Sequence, residues 1–229
     1  CRFIYQIANT MHKTSSTVLY AVLFLAFLMS PLAAFSQVTN DLAHSTAAEQ
    51  LLQLRKGSLV VRIYMNKNKI DLLQKAIQDP ASSAEKRESL SKTLKDHLED
   101  REANKKMVIQ AFKNNYNFSK VLFIHDYEQK NLKGPASPAI FLNEHGVVDP
   151  NIKMETDFYL LAGRGNNDES FVIYSAEGSA MPTHFPDRYN RNVFEGLVAL
   201  FKKDKLGNYI SKLNDALLAK YRAWKQVID

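Results

Sequence analysis

Three observations predict an α+β fold for this chain. Runs of β-branched and aromatic residues of strand length fill its middle, helical periodicity flanks them on both sides, and short Gly, Pro and Asn clusters separate them. The expected architecture is a four- to five-stranded mixed or antiparallel sheet packed against N-terminal and C-terminal helices, one of them long and charged.

The first apolar run, VLYAVLFLAFLM at 18–29, lies ahead of all of these elements. As a helix it spans about 18 Å, short of the roughly 30 Å hydrocarbon core of a bilayer. Lys13 precedes it, Ser30-Pro31 ends it, and LAAFSQ follows, with Ala34 and Ser36 at the small-residue positions before Gln37. A charged start, an apolar middle and small residues at the cut describe a secretory signal peptide. The expectation is translation from Met11, with 1–10 as upstream sequence, and cleavage between Ser36 and Gln37. No stable membrane span is expected after cleavage. Residues 37–47 read as a flexible leader and 48–229 as a single α+β domain.

A short helix is expected over 47–56, ended by Gly57, and a strand over SLVVRIY at 58–64. In NKIDLLQKAIQD, Ile70, Leu73 and Ile77 share a helical face, and Pro80 stops the helix. Ser82 stands three residues before Glu85, a capping-box spacing, and opens a helix from Ser83 to about Asn114. Glu88 with Lys92, and Glu102 with Lys106, stand at the favourable spacing with the acid first. The apolar stripe is Leu90, Leu94, Val108 and Phe112, yet Arg101 and Lys105 fall on it. The middle of this helix is therefore expected to be solvated, or the helix to break there.

Strands follow at 120–127, 138–144, 157–163 and 170–176, separated by KGPASP, EHGVVDPN and GRGNND. The last gap suits a hairpin. The dozen residues between the second and third are too polar for a convincing helix, which favours antiparallel or mixed pairing. At the C-terminal end, Asn192 with Glu195 repeats the capping spacing, and Val193, Leu197 and Leu200 follow at helical spacing. A break is expected near Gly207, and then an apolar face through Tyr209, Leu213, Leu217, Tyr221 and Trp224.

Formal charge is +6, falling to +4 on cleavage because Arg2 and Lys13 leave without an acid. The excess is spread along the chain, without the basic, aromatic-interleaved stripe of a nucleic-acid binder. Nucleic acid is therefore not an expected partner. The single cysteine, Cys1, lies in the removed part. A cysteine-free mature chain excludes thiol catalysis, thiolate metal sites and redox switching, and suits an oxidising compartment.

Candidate chemistry lies in three places. His125-Asp126 and Glu144-His145 end two expected strands, with Asp149 nearby, and would form an acid–base or metal-assisted site if those strands were neighbours. Adjacent strand residues face opposite sides, so each pair offers one group, and no metal-ligand spacing is present. AGRGNN resembles a phosphate loop by letter, but Asp168 replaces the third Gly and a strand follows. It reads as a hairpin turn with Arg164 near its tip. The loop MPTHFPDRYNRN holds His184, Asp187, Arg188, Tyr189 and Arg191 between and beyond two prolines. Loops on a rigid scaffold carry recognition, and Arg and Tyr carry interface energy.

ASPAIFLNEHGVV at 136–148, with KVLFIHDY before it, resembles the segment of thioredoxin-like proteins where a proline precedes a strand and a Gly turn begins the next. The Cys-x-x-Cys of the redox members is absent, so the resemblance implies a redox-dead relative and carries no residue across. The leader, the SLVVRIY…NKIDLL opening and the strand pair before HFP are similar to uncharacterised secreted proteins of Bacteroidota.

The resulting expectation is a secreted, periplasmic, non-enzymatic binding or envelope-interaction protein without a cofactor or metal. Its contact residues are Arg164 and the 181–192 loop, and its partner an envelope protein or a small anionic ligand. The alternative is a hydrolase or metal-assisted enzyme using His125, Asp126 and His145.

Overall fold

The computed structural model describes residues 45–165, 170–190 and 204–228, and its four strands lie in one mixed sheet. A helix, α1, covers 45–56 and leads through Gly57 into β1, Ser58–Ile63. Helix α2, Lys67–Gln78, and helix α3, Ala84–Asn115, follow as an antiparallel-type pair before β2, Lys120–His125. A 3-10 helix, Asp126–Asn131, opens a long connection to β3, Tyr159–Arg164, which pairs with β4, Phe171–Tyr174. Helix α4, Lys205–Ile228, ends the described chain.

The strand order is β2-β1-β3-β4. β1 lies parallel to both β2 and β3, while β3 and β4 run antiparallel. Period-two alternation divides the strand side chains between two faces. Leu59, Val61, Ile63, Phe123, Leu160, Ala162, Phe171 and Ile173 belong to the core shared with Ala47 through Leu54 of α1, the second half of α3, and α4. Phe112 stands at its centre, edge-on to Phe171 at 5.1 Å and to Phe123 at 6.3 Å. Val60, Leu122, Ile124 and Leu161 face the other way, against Leu132, Ile140, Phe141 and Met154 of the 126–158 connection.

Several local expectations change. Helix α1 begins inside the stretch read as a leader, and Ala47 is fully buried. The cap of α3 is Ser83, whose hydroxyl accepts the Lys86 N–H, while Ser82 donates to the Ala76 carbonyl at the end of α2. Helix α3 is continuous, yet every buried residue in it lies at or beyond Lys105. It runs opposite to β2, so its first half extends past the strand ends and packs with α2 through half-buried Leu90 and Leu94. The middle is largely solvated as expected, with Glu99, Asp100, Ala103 and Lys106 exposed, but Lys105 turns inward and is only 8% exposed.

Residues 138–144 do not form a strand. Only Leu142 makes a bridge, to Val148, because Asn143 turns the chain locally. Its side chain accepts the N–H groups of His145 and Val147, and its carbonyl accepts that of Gly146. The break expected near Gly207 falls at Asp204, which is non-helical, and Gly207 lies in the first turn of α4, where Asp204 accepts its N–H at 2.7 Å. The expectations for the leader, the cut after Ser36, Arg191, and the helix start at Asn192 fall outside the described residues.

Candidate functional site

The carboxyl ends of β1, β2 and β3 meet α3 where Lys105 turns inward. His125, the last residue of β2, stacks on Tyr127 and shares a 2.9 Å hydrogen bond between its Nδ1 and the phenol. If the phenol donates, the neutral imidazole carries its proton on Nε2. Burial holds the His125 pKa below its ordinary value, and Lys105 and Arg101 add to that effect against Asp126 and Glu128. Asp126 accepts the Met65 N–H at 3.1 Å, so it fastens β1 to the 3-10 helix. Lys105 reaches Glu102 at 2.7 Å, and Arg164 donates to the Asn104 side chain at 2.5 Å.

On the opposite face Arg62 donates to Gln129 at 2.6 Å and lies over the Tyr174 ring. Burial lowers its pKa, partly offset by Tyr174 and Asp126. Gly163 of β3 makes room for this guanidinium, since a Cβ at that position would fall on Arg62 Nη2. The Nε atoms of Arg62 and Arg101 and the Nε2 of His125 are buried without a hydrogen-bond partner among the described residues. These cations and the imidazole are therefore held by packing as much as by polar contacts, an arrangement suited to holding the sheet end together.

The outer edge of β2 carries a groove. Of about 580 Å³, it runs between Val121, Leu122 and Phe123 of that strand and Leu142 to His145 of the turn, with Lys113, Asp149 and Ile152 completing its wall. Lys113 pairs with Glu144 at 2.5 Å, and its hydrogen bond holds the Glu144 carboxyl below the usual range. His145 lies 3.6 Å from the other Glu144 oxygen. Asp149 accepts the Asn151 N–H at 2.9 Å. The groove size falls among those that hold small ligands or peptide side chains. Its floor is apolar and its rim carries charges of both signs.

The structure thus brings Glu144, His145 and Asp149 to one groove and leaves His125 and Asp126 outside its lining. Among the described residues no three His, Cys, Asp or Glu side chains converge on a cation position. The 181–190 loop is first a fastening. Phe185 is buried, the Asp187 carbonyl accepts the Ile173 N–H from β4, and the Tyr189 N–H donates to the Tyr209 hydroxyl. His184, with φ of 79°, and Arg188, paired with Asp187 at 2.7 Å, remain at the surface.

Reading the sequence missed Lys113, Val121, Leu142 and Ile152 as groove residues, because nothing local marks β2 as an edge. It did hold a signal for the buried cations, in the two charges on the apolar stripe of α3. No helix among the described residues is long and apolar enough to cross a membrane. The chain matches no protein-family model, no curated protein and no solved structure.

Proposed function

We propose that this chain is a non-enzymatic binding protein, exported by its cleaved leader to the periplasm, whose contact surface is the groove beside β2. The observation that carries this reading is the groove itself: half-buried Val121 and Ile152, backed by the buried Phe123 and Leu142, lie beneath a mixed-charge rim. Catalysis is less favoured. Glu144 is occupied by Lys113, His145 is 79% exposed, and among the described residues no third group orients it. A general base is effective when a second group fixes it beside the proton it takes.

A titration of the isotope-labelled protein with a mixed set of short peptides and small carboxylates, followed by amide NMR, tests the surface. Shifts are expected at Val121, Leu142 and Ile152. Shifts confined to 184–190 would move the contact surface to that loop, and hydrolysis of any member would revive the enzyme reading. The intact mass of protein recovered from its own cells tests the leader, with the expected species beginning at Gln37.

A further inference from the structure

We propose that the groove takes an extended segment of another polypeptide, which pairs main chain to main chain with Val121 where the edge of β2 is left uncovered; this rests on the groove being the contact surface. β2 is the first strand in the order and, among the described residues, has one neighbour, β1. The Phe123 carbonyl points away from β1, because it accepts the Leu142 N–H at 2.9 Å. Alternation along a strand then points the N–H and C=O of Val121 the same way. Neither has a backbone partner among the described residues, and the turn that covers Phe123 stops there. Val121 lines the groove.

The groove floor therefore offers one main-chain donor and one main-chain acceptor, side by side. An anion answers only the donor and a cation only the acceptor. A residue of an extended chain answers both, which is the basis of strand addition at sheet edges. Side-chain chemistry agrees with that occupant. Half-buried Val121 and Ile152 provide apolar surface for its side chains, while the Lys113–Glu144 pair marks one end. At the other end Lys120 bridges from β2 to Glu155 at 2.8 Å and draws that part of the connection beside the strand.

The test uses the full chain, isotope-labelled, and a blocked hexapeptide of alternating valine and threonine. Two changes remove the main-chain contact without removing the groove: Val121→Pro, and the same peptide N-methylated on alternate amides. Proline is tolerated where the lost N–H faces away from the neighbouring strand. Strand addition predicts that the peptide shifts and protects the Val121 amide, and that each change weakens binding by about tenfold, the worth of a main-chain hydrogen bond. Groove shifts that ignore both changes overturn strand addition and leave the groove reading standing. If the peptide causes no groove shift, strand addition fails, and the mixed ligand set alone judges the groove. Self-association lost in Val121→Pro would assign the edge to a second copy and overturn the proposal. So would protection of Val121 without peptide that disappears on removing 37–44.

Discussion

The aliphatic chain of Lys105 lies against Gly146, so close that a Cβ on that glycine would stand 2.8 Å from two of its carbons. A residue in the middle of α3 is thereby packed on the tip of the turn that walls the groove. The contact explains how a lysine comes to be buried on the apolar stripe of a helix: its stem fills space while its ammonium reaches Glu102.

Gly146→Ala is expected to destabilise the protein by about 2 kcal/mol, through a strained φ of 72° and displacement of the Lys105 stem. Urea unfolding measures this. A loss below a few tenths would mean that the turn relaxes away from α3.

Gly163→Ala should cost about 1–3 kcal/mol, since the added methyl falls on the Arg62 guanidinium, itself engaged with Gln129 and Tyr174. Shortening the partner with Arg62→Ala should recover part of that loss. A double-mutant cycle with no coupling would show that the two residues do not compete for the same space.

His125 links stability to pH. Its pKa is lowered in the folded state, so the unfolded chain binds the extra proton first and stability falls as pH drops below about 6.5. Above that value the contribution is fully present. The slope of unfolding free energy between about pH 7 and pH 5 should be smaller in His125→Gln. Lys105→Met, which removes a neighbouring positive charge, should raise the His125 pKa, followed by imidazole NMR.

Tyr209→Phe removes a hydroxyl that accepts the Tyr189 N–H and donates to the Phe171 carbonyl at 2.8 Å. The expected loss is about 1–3 kcal/mol, because two backbone groups lose their partner. Faster hydrogen exchange at Tyr189 should accompany it. Unchanged exchange there would place the fastening of the 181–190 loop on its other contacts, such as buried Phe185 and the Ile173–Asp187 bond.

Much of the fold is legible in local chemistry. Runs of β-branched and aromatic residues mark β1, β2, β3 and β4, and GRGNND marks the hairpin between the last two. Ile70 and Pro80 bound α2, although the cap of α3 falls on Ser83, one residue later than the spacing suggests. The failures are equally physical. Residues 138–144 have strand composition, but Asn143 satisfies neighbouring N–H groups itself and turns the chain before a ladder can form. Arg101 and Lys105 read as solvated because a charge on a helix face usually is. Here packing against Gly146 holds Lys105 inside, while Arg101 is half-buried.

By itself the sequence determined most of the helices and strands, their chain order, and the α+β class, because periodicity, caps and turn residues act within a few positions. Only the tertiary structure decided that β1 lies between β2 and β3 and runs parallel to both, leaving β2 at the edge. It alone gathered Lys113, Val121, Leu142 and Ile152 into one groove. Neighbour choice in a sheet is settled by contacts between residues far apart in the chain, and no local pattern encodes which strand will lie beside which.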